Sequence, residues 1–217
     1  MRDKLSAILI GIIFVIVPFT SYATGGTFSD TKPSGLVVDM GEQCVIGIKD
    51  YFKGYLISGM SLSASYWTDK LPVKTSLSKF GINFVCISLI GKSKKEIARQ
   101  HGAVYDGHGK KWVPYFESTR DARLLDTFTK VYNLEAVNGN GFYLIQDDRD
   151  GDPVQRERYL SFCIFHKAMA VCGGEPVMYL SDPNGDLLPY VLEVLRSVEF
   201  VDTSGSKPVA ASVPAAQ

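Results

Sequence analysis

Apolar and polar positions alternate along much of the chain, which is the pattern of β-strands with one buried face. In the first half, segments rich in β-branched, aromatic or alternating apolar residues predict strands at residues 36–40, 43–48, 61–68 and 81–90. The pattern returns in the second half at residues 142–146, 158–165, 169–172 and 177–180. The sequence therefore predicts a mainly β chain whose strands follow one another in runs.

Three segments have helical spacing instead. Ser93 and Glu96 have the spacing of a capping box, which predicts a short helix that ends near Gly102. A second helix is predicted from Ser118, with one buried stripe formed by Leu124, Leu125, Phe128, Val131 and Tyr132. A third begins near Asp186, tolerates a proline in its first turn, and buries Leu188, Val191, Leu192, Leu195 and Val198.

This order of elements favours one fold class. Strands come in runs and do not alternate singly with helices, so the predicted fold is α+β. We expect an antiparallel sheet with two main helices packed on one face, the helices that begin near Ser118 and Asp186.

The amino end departs from the alternating pattern. Arg2 and Lys4 precede an uncharged run over residues 5–19, and small residues occupy the cleavage-determining positions Ser21 and Ala23. This order predicts a cleavable secretory signal peptide, because a retained membrane anchor would need about 20 apolar residues. The expected organisation is signal peptide, flexible lead-in, single domain and disordered tail, at residues 1–23, 24–34, 35–202 and 203–217.

Export and net charge together limit the classes of partner that the chain is expected to bind. The full chain balances 23 basic against 23 acidic residues, and losing Arg2, Lys4 and Asp3 with the signal peptide leaves a net charge of −1. This charge argues against nucleic acid or a membrane surface as a partner, because no basic excess is present to collect phosphates. We expect a protein of the periplasm, or of the medium if the cell has no outer membrane.

The four cysteines are candidates for disulfides, because exported proteins fold in oxidising compartments. Counting outward from a two-residue turn at 167–168 places Cys163 opposite Cys172 at a non-hydrogen-bonded position, close to disulfide range. Cys44 then pairs with Cys86. The Lys-Ala turn lacks the Asn-Gly or Asp-Gly sequence that two-residue hairpin turns prefer, so a strand register shifted by one residue remains an alternative. A further alternative is a single disulfide with two buried free thiols. No spacing typical of zinc occurs, and no metal or cofactor is expected.

Residues 59–63, Gly-Met-Ser-Leu-Ser, resemble a nucleophile elbow around Ser61. The resemblance is incomplete, because Ser63 replaces the closing glycine and an elbow needs a helix after the serine. No triad follows from the contexts of the three histidines, which are His101, His108 and His166. We expect no catalytic residue and no enzymatic activity. A serine hydrolase ranks third, after the two non-enzymatic functions given below.

Two polar segments are the expected partner-binding surfaces, because loops on a rigid sheet commonly carry recognition. One is an acidic turn around Gly151, with Asp147, Asp148, Asp150 and Asp152. It is not an EF-hand, since Gln146 falls where the first acidic ligand is required, and a solvated hairpin turn is favoured. The other is the loop at residues 105–112, with Tyr105, His108 and Trp112.

The last third of the chain resembles a known family. Its motifs are Leu-Ser-Phe-Cys-Ile-Phe at residues 160–165, Cys-Gly-Gly at 172–174, and a run at 187–200 that ends in Leu-Arg-Ser-Val-Glu-Phe. They are similar to the closing domain of periplasmic immunity proteins that neutralise lipase effectors of the bacterial type VI secretion system. In that domain, a cysteine-bearing strand pair precedes a helix with a Leu-x-Ser-x-x-Phe ending. The resemblance covers residues 141–202, and no inhibitor residue is carried over.

The resemblance implies a non-enzymatic protein that occupies the active cleft of a toxin in the periplasm, so its partner is a protein effector. The chain is shorter than the two-domain members of that family. The alternative is an envelope module that binds a small molecule or lipid in a pocket between sheet and helices. An enclosed apolar cavity would favour that alternative.

Overall fold

A computed structural model describes residues 34–202 of the chain. The predicted signal peptide, residues 24–33 of the predicted lead-in and the predicted tail at 203–217 lie outside the described residues. Within 34–202, none of the helices has both the length and the apolar character needed to cross a membrane.

Antiparallel pairing joins the strands of the described residues into three sheets. The strands are β1 (Ser34–Asp39), β2 (Val45–Asp50), β3 (Tyr55–Ser58), β4 (Ser63–Thr68), β5 (Phe80–Ser88), β6 (Ala103–Asp106), β7 (Lys111–Pro114), β8 (Thr129–Glu135), β9 (Asn140–Asp147), β10 (Glu157–His166), β11 (Met169–Tyr179) and β12 (Glu199–Phe200). The large sheet has the order β3-β4-β5-β11-β10-β9-β8, the small sheet has the order β1-β2-β12, and β6-β7 is a separate hairpin.

The helices of residues 34–202 are short: α1 (Lys94–Gln100), α2 (Thr119–Leu125) and α3 (Leu188–Arg196). The Ser93 hydroxyl accepts a hydrogen bond from the Glu96 N–H at 3.1 Å, so the predicted cap of α1 is confirmed. Asp186 accepts the Leu188 N–H at 2.9 Å where α3 begins. A proline is tolerated in the first turn of α3 because no internal hydrogen bond is lost there.

The large sheet separates two clusters of buried side chains, because successive residues of a strand point to opposite faces. On β10, Phe162 and Ile164 belong to the cluster under α3 and the small sheet. Cys163 and Phe165 belong to the second cluster, which includes Ile97 of α1. The predicted α+β class with antiparallel sheets is confirmed. The expected packing of two main helices on one face is wrong, because α2 buries none of its residues and α3 and α1 lie on opposite faces of the sheet.

The helix predicted from Ser118 through Tyr132 is wrong in its second half. Helix α2 ends at Leu125 and buries none of its residues, a 3-10 turn covers Asp126–Phe128, and β8 then begins. Tyr132 lies opposite Tyr143 of β9. The apolar spacing fits a helix, but β-branched residues also suit a strand, and pairing with β9 satisfies the backbone of the whole segment.

The cysteine pairing is confirmed. Cys163 lies opposite Cys172 in the β10–β11 register and is bonded to it, and Cys44 is bonded to Cys86. Lys167 adopts a positive φ of 48°, so the Lys-Ala turn closes in a conformation that usually selects Asn or Gly. The register slip does not occur, and the described residues contain no free cysteine.

Candidate functional site

The segment predicted as a loop at residues 105–112 is largely the β6–β7 hairpin. Tyr105 lies directly opposite Trp112 in its register. The Asp106 carboxylate accepts the His108 backbone N–H at 3.0 Å, which sets the start of the turn. His108 is exposed at the tip. The hairpin therefore brings together all three residues predicted for this surface.

Trp112 packs the hairpin against the large sheet. Its ring centroid lies 4.9 Å from that of Phe142 and 5.9 Å from that of Phe165. Its backbone N–H also donates to the Asn133 side-chain oxygen at 3.3 Å. Tyr105 stands edge-on to Trp112 at 5.2 Å between centroids, and its side chain is 50% exposed. Trp112 thus anchors the hairpin, and Tyr105 is exposed to solvent.

A groove of about 580 Å³ opens beside the hairpin, between the start of α1 and the edge strand β8. Tyr105 and Trp112 form its aromatic wall. The remaining lining residues are Lys94, Lys95, Lys110, Asn133, Glu135, Asn140 and Gly141. We name this site the aromatic–lysine groove.

Two further depressions adjoin the groove at the same end of the large sheet. One shares the lining residues Lys94 and Asn140 with it and reaches Lys167 in the β10–β11 turn. The other, of about 490 Å³, shares Lys167 and extends to Phe200. These adjoining depressions form an open row, and none of the three is an enclosed cavity.

The lysines of the groove form no ion pair within residues 34–202. No carboxylate of that range lies within 4.0 Å of the ammonium groups of Lys94, Lys95 or Lys110. The Lys94 ammonium lies 5.7 Å above the Phe165 ring, a favourable cation–π contact. Lys94 and Lys95 occupy the first turn of α1, where the helix dipole disfavours cations. Helix stability therefore does not account for their position.

The acidic turn lies at the other end of the β9–β10 hairpin. The Asp147 carboxylate pairs with the Arg158 guanidinium at 2.6 and 2.9 Å, and this pairing raises the pKa of Arg158. Asp148 accepts the Glu157 N–H, Asp152 accepts the Val154 N–H, and Asp150 projects into solvent. Most of these carboxylates thus organise the turn itself.

The two predicted contact surfaces are therefore separate. Phe142, under the hairpin, and Asp147 are five positions apart on β9, about 17 Å at the rise of an extended strand. The structure does not bring the acidic turn to the aromatic–lysine groove. A contact role for the turn stays a prediction.

Ser61 lies in the turn between β3 and β4, with a positive φ of 57°. A strand follows this serine, so the local geometry is not that of a nucleophile elbow. Burial lowers the pKa of His101, whose ring is within 4.8 Å of the Cys163–Cys172 sulfurs. Because those sulfurs are bonded to each other, they offer no thiolate to a metal.

A second exposed surface had no counterpart in the sequence prediction. It is the solvent-facing side of β3, β4 and β5, which we name the open face, and it carries Tyr55, Ile57, Trp67 and Val85. Ser65 donates to Asn83 at 2.6 Å, and the Asn83 amide donates to Glu175. Burial raises the pKa of Glu175, and the Asn83 hydrogen bond opposes this shift.

The groove residues come from three separate parts of the chain, namely α1, the β6–β7 hairpin and the β8–β9 hairpin, which is why the sequence predicted only part of the site. It singled out Tyr105 and Trp112 but treated Lys94 and Lys95 as a solvated helix entrance. Comparison of the chain with protein-family models and with curated proteins finds no match.

Proposed function

We propose that this chain is an exported, non-enzymatic binding protein that inhibits a toxin effector in the periplasm through the aromatic–lysine groove. The observation that carries the proposal is the exposed Tyr105, on a hairpin that Trp112 packs against the sheet, beside three lysines that form no ion pair within residues 34–202. Exposed aromatic side chains are enriched at protein interfaces, and tyrosine is a frequent hot spot. Binding is therefore expected to centre on this hairpin.

The scaffold beneath the groove suits this role. The Cys163–Cys172 disulfide and the aromatic residues Phe142 and Phe165 form one buried cluster under Trp112. A surface held in its binding conformation loses little conformational entropy on association. Two disulfides are compatible with an oxidising compartment. The resemblance of residues 141–202 to immunity proteins supports a toxin as the partner.

The small-molecule alternative gains no comparable support. An apolar ligand is usually held in a concave, largely apolar pocket that buries most of its surface. The aromatic–lysine groove is instead open, and three lysines line it. A protein partner fits such a surface better.

The proposal is tested by capture from periplasmic extract of the cells that encode the chain, using the tagged full-length protein. Tyr105→Ala is compared with Tyr55→Ala, which removes a tyrosine of similar exposure, 57%, from the open face. We expect the wild type and Tyr55→Ala to recover the same effector, and Tyr105→Ala to recover at least tenfold less. The recovered effector should arrest growth when exported to the periplasm, unless this chain is exported with it.

Recovery of no effector by the wild type would overturn the proposal. So would equal recovery by Tyr105→Ala, because the groove would then contribute nothing to binding. Thermal unfolding of each variant shows that the comparison is made between folded proteins.

A further inference from the structure

The charge and shape of the aromatic–lysine groove also define the chemistry of its occupant. We infer that the groove binds an extended, acidic segment of the partner protein, an inference that rests on the proposed function. Charge complementarity indicates an acidic occupant, and the row of adjoining depressions indicates an extended one.

Three lysines give the groove its positive charge. Lys94, Lys95 and Lys110 line one groove, and no carboxylate within residues 34–202 forms an ion pair with any of them. Glu135 is the acidic residue of the same lining. The groove thus has a net positive charge on a chain whose overall formal charge is zero. Complementary charge accelerates association and excludes partners of the wrong sign.

The hydrogen-bonding groups of the groove favour the same occupant. Each lysine ammonium offers three donors and no acceptor. The side-chain oxygen of Asn133 already accepts the Trp112 N–H, so its amide nitrogen remains as a donor. A groove rich in donors suits a ligand rich in acceptors, and Asp and Glu carboxylates are acceptors only when ionised.

The row of adjoining depressions favours an extended chain over a compact anion. The depressions share Lys94, Asn140 and Lys167 from the hairpin to Phe200. Because the Lys167 ammonium already pairs with Asp202 at 3.3 Å, the acidic residues of the segment are assigned to the end with Lys94. A single phosphate or lipid headgroup would contact only one of these depressions. The aromatic wall at one end offers a contact for an apolar side chain beside the acidic ones. A peptide segment supplies both kinds of group in a row.

The test uses the full-length protein and poly-L-glutamate of about 20 residues as the probe, with binding measured by calorimetry. The groove variant is Lys94→Glu/Lys95→Glu/Lys110→Glu. The control is Lys70→Glu/Lys74→Glu/Lys79→Glu, which changes the charge equally at exposed lysines outside the groove lining. Glutamate at the start of α1 suits the helix dipole, so the groove variant should fold.

We expect the wild type and the control to bind poly-L-glutamate, with an affinity that falls as salt rises. The groove variant should lose at least tenfold in affinity, and its capture of the effector should fall in parallel. Equal binding by the groove variant would overturn the inference. Binding to phosphatidylglycerol vesicles but not to poly-L-glutamate would also overturn it, because the site would then recognise a lipid headgroup.

Failure of the inference is distinguishable from failure of the proposed function. If effector capture depends on Tyr105 but is unchanged when the charge of the three lysines is reversed, the proposed function stands. The inference that an acidic segment binds in the groove is then refuted. If poly-L-glutamate binds in a lysine-dependent manner but no effector is captured, the acid preference of the groove stands and the proposed function is refuted.

Discussion

The two halves of the large sheet are covered differently. Strand β10 is buried on both faces, and four consecutive residues from Phe162 to Phe165 are buried. Strand β4 alternates between buried and half-buried residues, because the small sheet and its neighbours cover only one of its faces. The doubly covered half supports the hairpin and the aromatic–lysine groove, whereas the singly covered half presents the open face.

This difference shows how the fold makes a rigid base for a binding surface. A strand buried on both faces cannot shift without disturbing two packed layers, and close-packed interiors resist such changes. The groove lies above this region, whose base includes Phe142, Phe165 and the Cys163–Cys172 disulfide. The open face has no second layer, and we expect it to tolerate substitution.

The largest predicted effect is at Phe162, a fully buried residue of the doubly covered half. Phe162→Ala removes its edge-on contact with Phe84, 5.8 Å between centroids, and leaves a cavity. We expect a loss of about 4 kcal/mol in the free energy of unfolding, measured by urea denaturation. A loss below about 1 kcal/mol would mean that this half is not close-packed.

The two disulfides should differ in their contributions. Replacing both Cys44 and Cys86 by alanine releases a loop with a sequence separation of 42, whereas Cys163 and Cys172 are separated by only 9. Chain entropy predicts losses of about 4 kcal/mol and about 3 kcal/mol, respectively. Urea denaturation of the two double variants measures this order. The reverse order would show that packing in the doubly covered half outweighs loop length.

Acid should destabilise the doubly covered half through His101. Burial lowers its pKa below the ordinary value of 6.5, so the folded protein binds its proton less readily than the unfolded chain does. Stability is therefore lost as pH falls through 6.5 towards the folded pKa. We expect the melting temperature to fall between pH 7.5 and 5.5, and to fall less in His101→Gln. An identical pH dependence in the variant would contradict this assignment.

Glu175, beside the open face, should show the opposite pH dependence. Burial raises its pKa, so the folded protein holds the proton more tightly than the unfolded chain, and stability is lost as pH rises from about 4.5 through the folded pKa. Glu175→Gln keeps an oxygen that accepts the Asn83 amide. We expect the variant to melt at a higher temperature than the wild type at pH 7, with the difference vanishing at pH 4. A lower melting temperature at pH 7 would contradict this.

The smallest effect is expected on the open face itself. Val85 is 43% exposed, and Val85→Thr keeps a β-branched side chain suited to a strand. The free energy of unfolding should change by no more than about 0.5 kcal/mol, again measured in urea. A loss comparable to that of Phe162→Ala would show that this face is covered in solution.

Local constraints were predictable from the sequence. The Ser93 cap depends on residues within one helical turn, and the Cys163–Cys172 register follows from counting outward from one turn. Strand β8 was not predictable, because Val131 and Tyr132 fit both a helical stripe and a strand. Only pairing with β9, a separate segment, decides between them.

The site was predictable only in part for the same reason. Tyr105 and Trp112 stand out as aromatic residues in a polar segment, but Trp112 is an anchor because Phe142 and Phe165 lie beneath it. The lysines of α1 reach the hairpin only through tertiary packing. Asp147 belongs to an ion pair with Arg158, a partner that spacing alone does not identify.

Hydrogen–deuterium exchange of the full chain, free and bound to its captured effector, shows whether the partner binds at the aromatic–lysine groove. It compares three surfaces at once: the β6–β7 hairpin, the acidic turn at 147–152, and the open face. We predict slower exchange on binding at residues 103–114 and at the start of α1. Protection confined to the open face or the acidic turn, with none at the hairpin, would contradict the account.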